Sequence, residues 1–119
     1  MTARFDELIH APTRLAIVSL LAAAQWADFK FLRDELSLSD SALSKQLSTL
    51  EAAGYVHIRK GFVGKRPRTS ARLTTAGRRA FEGHVAALQK LVARPMLIVP
   101  EPAGRGSGQG DRGTPPRAD

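Results

Sequence analysis

The sequence predicts a mainly α-helical domain that carries one small β-hairpin. Before Gly54 and after Thr74, apolar residues recur at helical spacing. Between these two segments the apolar residues alternate with polar ones, and Gly61, Gly64 and Pro67 interrupt the alternation as turn residues do. The length of 119 residues allows one domain with a modest core.

Two helices are expected in the first third of the chain. Pro12 suits a first helical position, because its missing amide hydrogen costs nothing there, and the helix should run from Thr13 to about Gln25. This segment is apolar almost all round, which is typical of a helix at the centre of a domain or one shared with a partner. Residues Phe5–His10 before it form a short helix or a leading turn. We expect Asp28 to cap the second helix, Phe29–Leu36.

A third helix, Asp40–Ala53, follows a tight turn. The Ser39 hydroxyl can accept a hydrogen bond from a first-turn amide, and Asp40 suits the positive end of the helix dipole. Gly54 can adopt the left-handed conformation that ends a helix. The stretch from Leu36 to Gly54 therefore reads as a helix, a turn and a helix.

This third helix has an unusual outer face. Leu43, Leu47 and Leu50 share one side at core spacing. The opposite side carries short hydroxyl groups around one cation: Ser41, Ser44, Lys45, Ser48 and Thr49. Short donors and acceptors allow a helix to approach a nucleic-acid groove closely, with Lys45 the best candidate for a guanine edge or a phosphate. The alternative is an ordinary solvated face rich in serine.

The hairpin is strongly basic. We expect strands at Tyr55–Lys60 and Thr69–Leu73, joined by a long tip. No acidic residue lies between Glu51 and Glu82, whereas eight basic ones do: Arg59, Lys60, Lys65, Arg66, Arg68, Arg72, Arg78 and Arg79. So many positive charges without acidic neighbours repel one another, and this repulsion is relieved if phosphates neutralise the charge. A tip of Gly64–Arg68 would suit a narrow minor groove, although an idle basic loop is the alternative reading.

The last helix should run from Thr75 to about Arg94, with Thr74 or Thr75 as its cap and Pro95 as its stop. Phe81, Val85, Leu88 and Val92 form one apolar stripe along it. So long a stripe exceeds what a small domain can cover, and a matching helix from a second subunit is the usual explanation.

Charge and composition divide the chain near Pro95. Residues 1–94 contain 15 basic and 8 acidic residues, whereas residues 95–119 contain three of each, so all of the formal charge of +7 lies in the first part. This distribution indicates a polyanionic partner. We expect residues 1–94 to form the folded domain, and 95–119, rich in Gly, Pro and Arg, to be a disordered tail.

In order and spacing, these elements resemble the winged helix-turn-helix transcription regulators of the MarR/ArsR type. The resemblance spans roughly Phe5–Leu91. The residues that carry it are His10–Leu15, Phe29–Leu32, Leu43–Leu47, Leu50–Val56, Lys65–Thr69 and Leu73–Arg78.

The resemblance implies a homodimer that binds a palindromic operator in double-stranded DNA. Helix Asp40–Ala53 would enter the major groove, and the hairpin, or wing, would reach the flanking minor groove. The expected wing contacts are Arg59, Lys60, Lys65, Arg66, Arg68 and Arg72. The terminal helices would form the dimer interface through Leu15, Val18, Phe81, Val85, Leu88 and Val92. We expect a cytoplasmic regulator, more often a repressor than an activator in this family.

Other functions find less support. The sequence shows no nucleophile–base pairing, phosphate loop or paired carboxylates, so we expect no enzyme and no cofactor. Cysteine is absent, and His10, His57 and His84 lie far apart in sequence, so we expect no metal site and read His84 as a surface or interface residue.

Three alternatives remain open. Leu15–Ala24 has the composition of a signal-peptide core, but it is too short to span a bilayer, and Asp6 and Glu7 precede it. The aromatic residues Trp26, Phe29 and Phe31 could line an effector pocket, although aromatic side chains at helical spacing are more often core. Phe31 and Phe62 leave room for a protein-binding winged helix with only non-specific DNA affinity.

Overall fold

The computed structural model describes residues 2–93, so the predicted tail and the predicted stop at Pro95 lie outside it. Residues Met1–Gln89 form one compact unit. The elements in chain order are α1 (Glu7–His10), α2 (Pro12–Ala22), β1 (Ala27–Asp28), α3 (Phe29–Leu36), α4 (Asp40–Ala52), β2 (Val56–Val63), β3 (Arg66–Leu73) and α5 (Thr75–Val92). The predicted mainly helical fold with one hairpin is confirmed.

The core lies between α2, α3, α4 and the inner face of the sheet. Leu43, Leu47 and Leu50 of α4 are buried as predicted, against Ile17 of α2 and Leu32 of α3. Leu38, in the turn before α4, is partly buried against the same cluster. Because the apolar side of α4 is anchored in this core, its serine-rich side is left at the surface.

Most of the predicted helix caps are present. Ser39 Oγ accepts a hydrogen bond from the amide of Ala42 at 3.1 Å, and Thr74 Oγ1 accepts one from the amide of Gly77 at 2.9 Å. Gly54 has a φ of +81°, the left-handed conformation expected after α4. Asp28 occupies the predicted N-cap position of α3, but its side chain makes no cap hydrogen bond and accepts one from Arg68 of β3 instead.

A third strand was not predicted. Helix α2 ends at Ala22 rather than near Gln25, and the chain then forms the two-residue strand β1, which pairs antiparallel with β3. The sheet order is β1-β3-β2. Two residues are too few to show an alternating pattern, which is why the sequence gives no sign of this strand.

The hairpin has longer strands and a shorter tip than predicted. Strand pairing continues to Val63 and Arg66, so the connecting turn contains only Gly64 and Lys65. Gly64, with a φ of +64°, supplies the positive φ that two-residue hairpin turns require. Pro67 lies within β3. Its missing amide hydrogen is tolerated there because β1 pairs only with Ser70 and Ala71, so β3 is an edge strand at Pro67. We call β2, this turn and β3 the wing.

None of the helices in residues 2–93 has the length and hydropathy needed to cross a bilayer.

Candidate nucleic-acid interface

The outer face of α4 is exposed and chemically simple. Ser41, Ser44, Lys45 and Ser48 are all exposed, so four of the five residues predicted there are accessible. Thr49 is only half exposed, and its hydroxyl donates to the backbone carbonyl of Lys45 at 3.1 Å. The hydroxyl hydrogen of Thr49 is therefore already used within the helix.

Helix α4 is held at both sides by arginine side chains. Arg33 of α3 donates to Asp40 Oδ1 at 2.9 Å, across the turn that joins the two helices. Arg14 of α2 donates to Gln46 Oε1 at 2.9 Å and to the carbonyl of Leu8 at 2.7 Å. These contacts connect α4 to α3, to α2 and to the end of α1.

The wing and α4 meet at one cleft of about 360 Å³. Ser44 and Ser48 of α4 line it together with Lys60 of β2, and the acidic residues Asp40 and Glu51 of α4 line it as well. The hydroxyl groups of the helix and one cation of the wing thus face the same space.

The register of the wing divides its side chains between two faces. Val56, Ile58, Lys60 and Phe62 alternate onto the face that continues from the core. Their paired positions on β3 are Leu73, Ala71, Thr69 and Pro67. The opposite face carries the remaining cations of the strands: Arg59, Arg66, Arg68 and Arg72.

Three of the predicted wing contacts already have partners within the chain. Arg68 Nε donates to Asp28 Oδ1 at 2.9 Å, in an ion pair whose two side chains are each about half exposed. The guanidinium carbon of Arg59 lies 3.9 Å from the centre of the Trp26 ring, and that of Arg72 lies 5.2 Å from it. Both distances are within cation–π range.

The other three predicted wing contacts are exposed. Lys65 and Arg66 lie at the tip and Lys60 lies on β2 three positions before Val63. Within residues 2–93 none of these three forms an ion pair. They are therefore the wing cations most available to an external phosphate.

A buried polar cluster near the N-terminus was missed in the sequence. The prediction of a surface or interface position for His84 is wrong: its side chain is completely buried. Its Nδ1 accepts a hydrogen bond from the amide of Asp6 at 2.9 Å, and its Nε2 lies 3.2 Å from His10 Nδ1. Burial, and then the neighbouring His10, lower the pKa of His84 below its usual 6.5.

The same cluster joins α1 to the residue that precedes the wing. The Tyr55 hydroxyl donates to Asp6 Oδ2 at 2.6 Å, which raises the pKa of Tyr55. Partial burial raises the pKa of Asp6, but the bonds from Tyr55 and from the amides of Ile9 and Leu8 outweigh it and lower the pKa below 3.8. No sequence signal could have found the cluster, since its members lie 74 and 78 positions apart.

Within residues 2–93, no group of three or more metal-ligating side chains comes together. The candidate effector residues are also separated. Trp26 lines a cleft with Arg72, Phe29 lines the cleft between α4 and the wing, and Phe31 is 51% exposed.

The predicted dimer residues differ in accessibility. Val18 is fully buried in the chain's own core and so is not available to a second copy. Leu15, Phe81, Val85 and Leu88 are half-buried, whereas Val92 is 84% exposed.

A helix-turn-helix whose polar second helix lies beside a basic hairpin defines the class of winged-helix nucleic-acid-binding domains. Residues 13–92 match the family model described as "Winged helix DNA-binding domain". The chain belongs to this family, and the resemblance to winged helix-turn-helix regulators is confirmed.

Known proteins resemble this chain in sequence or in fold. An uncharacterized protein of Methanocaldococcus jannaschii is 29% identical over 79 residues, which cover 66% of this chain and 86% of the relative. The structure of a transcriptional regulator homologue from Pyrococcus horikoshii superposes with a TM-score of 0.70 at 25% identity, over 75% of this chain and 88% of that one. The Staphylococcus aureus MepR–DNA complex shares the fold, with a TM-score of 0.63 at 15% identity over 76% and 74% of the chains.

Proposed function

We propose that this protein is a sequence-specific regulator that binds double-stranded DNA with the outer face of α4 and with the wing. The observation that carries the proposal is the cleft shared by Ser44 and Ser48 of α4 and Lys60 of the wing. A groove-reading helix and a phosphate-binding cation would then act on adjacent parts of one duplex.

The side chains have different roles in this proposal. Lys45 is the one long donor on the outer face of α4, and it contacts a guanine edge or a phosphate while Ser41, Ser44 and Ser48 allow close approach. Lys60, Lys65 and Arg66 neutralise phosphates beside the flanking minor groove. Arg59, Arg68 and Arg72 contribute mainly through the local potential, because they are held by Trp26 and Asp28.

We further propose that the protein binds a palindromic operator as a homodimer. Support comes from α5, where Leu91 is 51% and Val92 84% exposed although both are large apolar residues. Leu88 and Val85, on the apolar stripe of the same helix, are half-buried. Two copies of the stripe packed against each other would remove this surface from water and give the two-fold symmetry that a palindrome matches.

A dimer bound over a promoter blocks polymerase, so we propose that the protein is a repressor. We also propose that it acts in the cytoplasm. MepR was solved with DNA bound, which is the partner proposed here.

The DNA-binding proposal is tested by fluorescence-anisotropy titration over a salt series, with duplex from upstream of the protein's own gene and a scrambled duplex. Lys45→Ala and Lys60→Ala should each weaken binding. Each should also reduce the salt slope, the slope of log binding constant against log salt concentration, by about 0.9, the value for one phosphate contact. Arg79→Ala, which removes the same charge from α5, is the matched control and should change neither. The proposal is wrong if the wild-type protein binds neither duplex at low salt.

The dimer proposal is tested by sedimentation velocity. The wild-type protein should sediment as a dimer, and Leu88→Lys should dissociate it while keeping the helical circular dichroism. Gln89→Lys adds the same charge at the next, exposed position of α5 and should leave the dimer intact. A wild-type monomer at all concentrations would refute the homodimer.

A further inference from the structure

Phe62, on β2 close to the tip of the wing, has a side chain that is 73% exposed. Among the described residues it is the most exposed aromatic side chain, followed by Phe31 at 51%. Its cross-strand partner is Pro67, and its neighbour Val63 is itself 53% exposed. The end of the wing is thus apolar as well as basic.

The ring of Phe62 does not contribute to the hydrophobic core. Every residue from Arg59 to Arg68 is exposed, so the outer part of the wing has no core beneath it. Four residue pairs, from Lys60–Thr69 to Val63–Arg66, extend the wing by about 13 Å at the usual rise of a strand. The ring of Phe62 is held at the end of this extension by a continuous antiparallel ladder.

The register sets the direction in which Phe62 faces. It alternates onto the same face of the wing as Lys60, whose side chain lines the cleft with Ser44 and Ser48 of α4. Arg66 lies on the other face. Phe62 therefore lies on the side of the wing that faces the cleft with α4, two residues nearer the tip than Lys60.

The charges around Phe62 select the kind of surface it can contact. Lys60 lies two positions before it on the same face, Lys65 lies in the turn, and Arg66 lies near the tip on the opposite face. Within residues 2–93 none of these three cations forms an ion pair. A partner must therefore offer negative charge immediately beside an apolar slot. A DNA duplex has this arrangement, since its phosphates flank a base stack that apolar side chains can enter from the minor groove.

A lipid bilayer also combines anionic groups with apolar interior, but it fits the neighbouring helix poorly. The exposed face of α4 carries Ser41, Ser44, Lys45 and Ser48 rather than an apolar stripe. A duplex offers partners for both the hydroxyl groups of α4 and the ring of Phe62.

We propose that Phe62 enters the minor groove beside the segment contacted by α4 and inserts its ring between two base pairs, partly unstacking them. This rests on the proposed function and adds a specificity determinant to it. Pyrimidine–purine steps unstack most easily, so Phe62 selects such a step at the flank of the operator without hydrogen-bonding to any base.

The test uses the full chain and an alternating adenine–thymine duplex in which 2-aminopurine replaces single adenines, because the fluorescence of this analogue rises when it unstacks. Binding is measured by anisotropy in the same cuvette at low salt. The variants are Phe62→Ala, Phe31→Ala as the matched exposed phenylalanine on α3, and Lys60→Ala as the charge control. Thermal unfolding of each variant should match that of the wild type within error, since all three positions are exposed.

The wild type and Phe31→Ala should raise the fluorescence equally at saturation. Phe62→Ala should lose at least half of the rise and bind about tenfold more weakly, as expected for removal of an aromatic stacking partner. Lys60→Ala should bind more weakly but keep the full rise at saturation.

Two outcomes overturn the inference alone. These are binding by the wild type without a fluorescence rise, and a Phe62→Ala protein that keeps both affinity and rise. The first outcome would indicate that the protein binds DNA without inserting Phe62, and that Phe62 contacts a protein or lipid surface instead. Failure of the wild type to bind any duplex would overturn the proposed function together with this inference.

Discussion

His84 Nδ1 accepts a hydrogen bond from the backbone amide of Asp6 at 2.9 Å, which ties the middle of α5 to the residue that caps α1. An imidazole nitrogen that accepts carries no hydrogen, so the proton of neutral His84 lies on Nε2 and can be donated to His10 Nδ1, 3.2 Å away. Protonation of His84 would place a hydrogen on Nδ1, which could then no longer accept the hydrogen bond from the Asp6 amide. The cluster therefore requires the neutral imidazole.

This requirement predicts lower stability in acid. Because burial and His10 lower the pKa of His84 in the folded state below 6.5, the unfolded chain binds more protons as the pH falls through 6.5. The stabilisation is present above pH 6.5 and is lost on acidification, by at most about 1.4 kcal/mol per pH unit for one proton. The measurement is urea unfolding between pH 7.5 and about pH 5.

Variants at two histidines separate this effect from general acid sensitivity. His84→Asn keeps an acceptor near the Asp6 amide but does not titrate, so its stability should be nearly flat over the same range. His57→Asn changes an exposed histidine and should retain the wild-type slope. Equal slopes in all three proteins would show that His84 does not control the response.

Gly77 should be intolerant of any side chain. A Cβ at this position in the first turns of α5 would overlap the backbone carbonyl of Tyr55, which also accepts the amide of Thr74. Gly77→Ala should therefore destabilise the fold by about 3 kcal/mol, as overpacking against rigid backbone does. Gly61→Ala, where the added Cβ meets open space, should change stability by less than about 0.5 kcal/mol. Thermal unfolding of both variants tests this, and similar losses in the two would contradict the packing shown for Gly77.

Releasing Arg68 should strengthen DNA binding. Asp28→Asn keeps an oxygen acceptor for the Ser70 hydroxyl but removes the charge that holds Arg68. Duplex affinity should rise about threefold, on the scale of an exposed ion pair, and the salt slope should steepen by about 0.9. In the wild type, Arg68→Ala should accordingly weaken binding less than Arg66→Ala. The prediction fails if Asp28→Asn binds no better and Arg68→Ala costs as much as Arg66→Ala.

The outer face of α4 should determine sequence preference. Replacing Ser44 and Lys45 with Ala should change which sequences are enriched from a random duplex pool, because these side chains lie on the face proposed to read the major groove. Lys30→Ala, an exposed cation on α3, serves as the control and should enrich the wild-type sequences. If the double variant enriches the same sequences with lower affinity, Ser44 and Lys45 contact only phosphates.

Local signals predicted most of the fold. The Leu43, Leu47 and Leu50 stripe, the Ser39 cap and the left-handed Gly54 each depend on near neighbours in the chain, and all three are present. The lengths of the strands could not be predicted, because the outer wing is exposed on both faces and so lacks the alternation of a half-buried strand.

Charge content predicted a basic wing but not which cations are free. The ion pair of Arg68 joins residues 40 positions apart, and the stacking of Arg59 on Trp26 also crosses from the wing to the segment before β1. Such pairings follow from the tertiary fold. The buried His84 was missed for the same reason, since a lone histidine on a helix gives no indication of a partner near the N-terminus.

Whether α4 and the wing together form a DNA-binding surface can be measured by amide chemical-shift mapping of the labelled protein during titration with duplex. The largest changes should occur at Ser44, Lys45 and Ser48 of α4 and at Lys60 and Phe62 of the wing. If the changes are confined to α1 and α5, with α4 and the wing unaffected at saturation, DNA does not bind at this surface.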